Sequence, residues 1–150
     1  GGAGEEERRH ISEDFLGRAV TPSWAEQHRA QFRKAARNFA QARRDADAIA
    51  AQAQAVPEFD AGPALGEALR ASEASLPVLV MHGDSDAVFP VSNAELLCEL
   101  LGPTSQLNLF EDCGHLLYLQ QPQAFVRTAS AFLAAADERA AYKADGVTSE

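Results

Sequence analysis

Leu76-Pro-Val-Leu-Val-Met-His-Gly-Asp-Ser-Asp-Ala-Val-Phe-Pro90 is the stretch on which the reading of this chain turns. Val78-Leu79-Val80-Met81 is an unbroken apolar run bounded by Pro77 and Gly83, the pattern of a strand buried on both faces of a parallel sheet. The loop that follows holds two carboxylates, Asp84 and Asp86. Ser92-Asn-Ala-Glu95 then has capping-box spacing, ahead of a helix with Leu96, Leu97, Leu100 and Leu101 that stops at Gly102-Pro103. A second strand, Gln106-Leu-Asn-Leu-Phe110, alternates at Leu107 and Leu109 and ends in Glu111-Asp-Cys-Gly-His115. Pro122 opens a last helix with Phe125, Val126, Ala129, Phe132 and Leu133 on one face. Beyond Asp137 the chain is alanine-rich and charged, a tail expected to fray.

Upstream the character is helical. Residues 1–21 begin polar and Gly-rich and then carry Ile11, Phe15, Leu16 and Val20, which predicts a flexible N-terminal segment with a short helix or loop. Thr21-Pro22-Ser23 signals a helix start, with Thr21 able to cap, Pro22 suited to the first position, and Ser23 and Glu26 at capping-box spacing. From Trp24 a stripe through His28, Phe32, Ala35, Phe39, Ala42, Ala46, Ile49, Ala53 and Val56 predicts one long helix or two broken near Asn38. Its many alanines predict a shallow contact, so this helix is expected to be the part least anchored. A turn over Pro57–Pro63 leads to a short helix around Ala64–Ala71.

The bulk properties narrow the function. With 46% hydrophobic and 23% charged residues, the 150-residue chain resembles an ordinary globular domain. A net charge of −9 argues against a phosphate-binding surface. The basic cluster Arg29, Arg33, Lys34, Arg37, Arg43, Arg44 is interspersed with acids and Gln and has no interleaved aromatics, so it reads as a solvated helix face rather than a nucleic-acid platform. Cys98 and Cys113 are too few for a disulfide framework and lack zinc-ligand spacing. No signal-peptide core or membrane-length apolar run is present, so the expectation is a cytoplasmic protein with no membrane or nucleic-acid partner and no metal or cofactor.

Strand, loop, helix and strand in this order make a parallel crossover, which places the two carboxyl ends of the strands together. Ligands bind beyond those ends in open α/β sheets. Here the ends carry Asp84 and Asp86 on one side and Asp112 and His115 on the other. An Asp–His pair fits nucleophilic catalysis, because the carboxylate fixes the imidazole tautomer and stabilises the imidazolium. The residues by themselves leave a non-catalytic loop pairing open.

Leu76–Pro90 resembles the "P-x-L-x-x-x-G-x-x-D-x-x-x-P" stretch of α/β-hydrolases, in which the Asp is the triad acid; that position is Asp86. Asp112-Cys-Gly-His115, followed by Gln121-Pro122 and Phe125, resembles the family's "G-H-x-x-x-x-x-x-P-x-x-F" stretch, whose His is the triad base; that position is His115. The chain order of acid before base is respected. The resemblance implies an incomplete α/β-hydrolase fold: a short parallel strand pair covered by the helices after Ser92 and Pro122, preceded by a helical cap-like segment. The divisions it suggests are a flexible segment at 1–21, a cap or lid-like region at 22–75, a core unit at 76–136 and a tail at 137–150.

The nucleophile elbow, Gly-x-Ser-x-Gly, is missing from the chain. Gly83-Asp-Ser85-Asp-Ala87 imitates a degenerate elbow, but Val88-Phe89-Pro90 is bulky where a helix must pack behind the serine, and Ser85 is rejected. His82-Gly83 is likewise rejected as an oxyanion loop. Asp84 reads as a loop-capping carboxylate, Cys113 as a small buried filler and His28 as a packing residue. The resemblance therefore implies the C-terminal portion of a serine-type esterase or peptidase-like acyl hydrolase, acting on an ester or amide-like small molecule and inactive alone. The alternative is a non-catalytic module that binds another chain through its exposed sheet edge, either the complementary half of the fold or a second copy.

Overall fold

The computed structural model describes residues 2–42, 46–55, 62, 64, 67–68 and 76–146. Helices α1 (Gly2–Ala19), α2 (Pro22–Gln27), α3 (Arg29–Gln41) and α4 (Ala46–Ala55) come first. Strand β1 (Val78–Gly83), helix α5 (Val91–Leu101), a 3-10 turn (Gly102–Thr104) and strand β2 (Ser105–Phe110) form the crossover. A short α6 (Leu117–Gln120) and a long α7 (Pro122–Gly146) close the chain.

The crossover is the one predicted. β1 and β2 pair in parallel, in register from Val78 opposite Ser105 to Gly83 opposite Phe110, as a two-stranded sheet. This is an incomplete α/β fold. Within β1 only Val80 and Gly83 are buried, contrary to the expectation of burial on both faces, because among the described residues the strand has one neighbour rather than two. Helix α5 packs on both strands, but α7 takes α6 as its main partner and leaves Val126 and Leu133 exposed. The expected covering of the sheet by both helices is therefore half met. Helix α5 also begins one residue before Ser92: its N-cap is Pro90, whose carbonyl accepts the Asn93 N–H at 2.9 Å, and no side chain caps it. It stops at Gly102, as read.

The N-terminal reading needs three corrections. Residues 1–21, expected as a flexible segment with a short helix or loop, instead carry the 18-residue α1. Its last turn supplies Leu16 and Ala19 to the main buried cluster, which also takes in Val20, directly following, together with Trp24, Ala36 and Leu116. Tertiary packing of that turn decides the matter where propensity and Gly content argued for fraying. The stripe from Trp24 breaks twice: at His28, which leaves helical geometry, stacks on Trp24 at 5.0 Å between ring centres and divides α2 from α3, and again at Ala42, where α3 ends close to the break expected near Asn38. Finally, the start of this segment is not the least anchored part. Trp24 and Ala36 are buried against α1, whereas the described side chains of α4 are exposed.

At the other end α7 continues past Asp137 to Gly146, so the tail expected at 137–150 is helical over most of its length. Alanine, the best helix former, propagates it. The short helix expected at Ala64–Ala71 lies largely outside the described residues. Among the described residues no helix is long and apolar enough to cross a membrane.

Candidate active site

Two loops leave the carboxyl ends of β1 and β2 side by side, and their backbones touch. A Cβ placed on Gly83 would lie 2.2 Å from the carbonyl oxygen of Cys113 and 2.5 Å from that of Gly114. Only glycine lets the first loop turn so close to the second. The sheet ladder carries on into the loops: Asp84 N–H donates to Phe110 O, and Ser85 N–H to Cys113 O, both at 3.0 Å. Asp84 adds a carboxylate oxygen that accepts from Cys113 N–H at 3.3 Å and from the Ser85 hydroxyl at 2.9 Å. The Ser85 hydroxyl, with the backbone loop bonds, holds the Asp84 carboxyl below its ordinary range although burial opposes this. Asp84 is thus the loop-capping carboxylate that the sequence suggests, and Ser85 is turned to it rather than to His115.

Asp86 sits one step further along. Its side chain is 3% exposed, and Oδ1 accepts the N–H groups of Val88 at 2.7 Å and Phe89 at 2.9 Å. Oδ2 lies 3.0 Å from Nδ1 of His115, whose ring is also tilted against Phe89. Burial works against the charged carboxylate, but the Phe89 N–H, His115 and the Val88 N–H outweigh it and keep the group below its ordinary range. An ionised carboxylate can only accept, so Nδ1 of His115 carries the proton and Nε2 is the nitrogen left to take one. The structure therefore brings together the two residues singled out from the sequence, and the tautomer that this pairing favours leaves Nε2 free to accept a proton.

A second imidazole faces the same oxygen. His82 Nδ1 is 2.8 Å from the Gly83 carbonyl, which fixes a proton on that nitrogen, and Nε2 lies 3.6 Å from Asp86 Oδ2. Sequence reading rejected His82-Gly83 as an oxyanion loop and gave His82 no other role.

The loop of His115 is held from the helical side by residues that no local pattern marks. Gln120 is buried; its side-chain oxygen accepts the Gly114 N–H at 2.7 Å, and its amide nitrogen donates to the Thr21 hydroxyl at 3.1 Å. Leu116 N–H donates to Ala19 O at 2.9 Å, and the Ser23 hydroxyl donates to the Asp112 carboxylate at 3.0 Å. Thr21 is the N-cap of α2 as predicted, but Ser23 serves Asp112 rather than a capping box with Glu26. Asp112 itself has φ of 48°, a left-handed conformation that Asp tolerates better than most residues.

Cys113 is fully buried beneath these loops. Burial, with the nearby carboxylates of Asp84 and Asp112, pushes its thiol up to about 11, so it is a filler and not a thiolate nucleophile. A pH dependence follows. Asp86, depressed on folding, contributes stability that is complete above the ordinary carboxylate value of 3.8 and lost as pH falls through its folded value. Cys113, raised on folding, contributes stability that is complete below the ordinary thiol value of 9.0 and lost as pH rises toward 11. Urea unfolding followed across pH should give a plateau between these limits and a decline on both sides; an alkaline decline that persists in Cys113→Ala would contradict the thiol's part in it.

Among the described residues no group of three or more His, Cys, Asp or Glu is placed to hold a metal ion. Residues 5–122 match the family model described as the alpha/beta hydrolase fold. Among curated proteins, a 2-hydroxy-6-oxo-2,4-heptadienoate hydrolase of Pseudomonas putida is 41% identical over 59 residues, 39% of this chain and 21% of that protein. A pimeloyl-[acyl-carrier protein] methyl ester esterase of Aromatoleum aromaticum is 43% identical over 47 residues, 31% of this chain and 18% of that protein. A 2-hydroxymuconate semialdehyde hydrolase of Pseudomonas putida is 36% identical over 59 residues, 39% of this chain and 21% of that protein. The matched stretch thus spans about a fifth of the length of these relatives. No solved structure matches.

Proposed function

Since the chain belongs to the α/β-hydrolase fold family, we propose that it is the C-terminal, acid- and base-bearing portion of a serine-type acyl hydrolase of esterase or peptidase-like class. The observation that carries this reading is the 3.0 Å contact between Asp86 Oδ2 and His115 Nδ1, with Asp86 locked by two backbone N–H groups. In the complete enzyme a serine, on an elbow that this chain lacks, attacks the acyl carbon of an ester or amide-like small molecule. Nε2 of His115 takes the serine proton as the bond forms and then passes it to the leaving group. Asp86 holds the ring and stabilises the imidazolium. A water, deprotonated in turn by His115, releases the acyl group. An ester substrate suits the similarity to a methyl ester esterase.

The purified chain should then show no turnover of a chromogenic ester, because the nucleophile and its oxyanion donors lie outside it. Mixing it with a segment that carries the elbow and the preceding strands should restore turnover that His115→Ala abolishes. Turnover by the isolated chain that disappears in His115→Ala would overturn the division of labour.

A second reading, a non-catalytic module that binds another chain, is favoured by one feature. The outer edges of β1 and β2 are unpaired among the described residues, and Leu76, Leu96 and Leu109 are exposed around the sheet. Sedimentation of the chain as a monomer at high concentration, with no binding to the complementary segment, would count against it.

A further inference from the structure

The loop of His115 is bonded both to the β1 loop and to the α1–α2 junction, and at that junction Gln120 bridges the residue before His115 to Thr21. Gln120 is 8% exposed and uses both ends of its amide, the oxygen on Gly114 N–H at 2.7 Å and the nitrogen on the Thr21 hydroxyl at 3.1 Å. Gly114 immediately precedes His115. It is pressed so closely that a Cβ there would lie 2.9 Å from Ala19 O and 3.1 Å from Val20 Cα. On the other side of His115, Leu116 N–H donates to Ala19 O and the Leu116 side chain joins the buried cluster of Leu16, Ala19, Val20 and Trp24. The backbone on both sides of His115 is therefore set by the α1–α2 junction, while its ring is set by Asp86 on the β1 loop. The imidazole spans two bodies.

Resting on the reading of Asp86 and His115 as acid and base, we infer that Gln120 is a positioning residue. Through Thr21 it makes the seat of the α1–α3 helices set the angle at which His115 meets Asp86. The helices ahead of the sheet are thereby coupled to the base: a displacement of α1 or α2 is carried through Thr21, Gln120 and Gly114 to the Nδ1–H of His115. Buried, fully bonded amides of this kind transmit position because neither end can be released without stranding a polar group. Among the described residues no buried side-chain polar atom lacks a partner.

The test is proton NMR of the chain, following the low-field signal of the His115 Nδ1–H and its exchange with water, with thermal unfolding measured beside it. Gln120→Leu, which removes both bonds, and Thr21→Val, which removes the hydroxyl from the far end, should each speed that exchange about fivefold, the equivalent of one ordinary hydrogen bond. Gln120→Glu should restore it, since the carboxylate still accepts from Gly114 and the Thr21 hydroxyl, which donates to Asp112 O at a long 3.4 Å, can turn to donate to it instead. If Gln120→Leu does not fold, Thr21→Val decides the matter. A folded Thr21→Val or Gln120→Leu chain with lowered stability but an unaltered His115 signal would reduce these residues to packing and overturn the inference. A signal that Asp86→Asn leaves unchanged would instead defeat the acid–base reading itself, so the two failures are distinguishable.

Discussion

Gly83→Ala is expected to cost more than about 4 kcal/mol of stability, beyond the usual range for one methyl group, and to part Asp86 from His115. The added carbon would stand 2.2 Å from one backbone carbonyl oxygen and 2.5 Å from the next. Both belong to the loop that ends in His115, and neither can swing aside as a flexible side chain can. Moving that loop away breaks the Ser85 N–H bond to Cys113 O and the Cys113 N–H bond to Asp84, and it carries His115 out of reach of Asp86. The contrast is Gly17 in the exposed part of α1, where an added Cβ meets nothing within 4 Å. There the same substitution should stabilise by about 1 kcal/mol, because alanine replaces glycine in a helix interior. Urea unfolding of both variants checks the pair. If Gly83→Ala is no worse than neutral, the close approach of the two loops is not what holds the site.

What the sequence made legible is the crossover and the meeting of Asp86 with His115 at its carboxyl end. The apolar run Val78–Met81, the helix stop at Gly102 and the alternation at Leu107 and Leu109 are local signals, and local signals suffice for strands and helix ends. Asp86 and His115 were recoverable because their types and loop positions obey the polarity of a parallel sheet and because the surrounding motifs are specific. The anchoring of the helical half was not. Leu16, Ala19 and Val20 form a buried turn only because Trp24, Ala36 and Leu116 stand against them, and Leu116 is nearly a hundred residues away. Gln120 is hidden for the same reason: a glutamine ahead of Gln121-Pro122 carries no periodicity, and its two partners come from different ends of the chain. Burial on both faces of β1 was over-read, since a continuous apolar run reports what a strand is suited to, not how many neighbours this chain gives it.

Asp86→Asn should leave the fold largely intact and still lower kcat of the reconstituted enzyme by about 10⁴, the size of effect that the same exchange has in a serine-protease triad. The amide oxygen of Asn can take over the Val88 and Phe89 N–H groups, which now bond to Oδ1 at 2.7 and 2.9 Å. That orientation points the amide NH₂ at His115 Nδ1, where a carboxylate oxygen stands today. Two donors then face each other, and the imidazole relieves the conflict by moving its proton to Nε2. Nδ1 becomes the acceptor, and the nitrogen that should take the serine proton is already protonated. Geometry survives and basicity is lost at the one atom that needs it. His82 makes the exchange more tolerable to the fold, because its Nε2 lies 3.6 Å from Oδ2 and a small shift would let it accept the second amide N–H. The tautomer change is visible without any nucleophile: nitrogen NMR of the isolated chain should show His115 protonated at Nδ1 in the native sequence and at Nε2 in Asp86→Asn. The same tautomer in both would mean that Asp86 does not orient His115, and a fall in turnover would then need another cause.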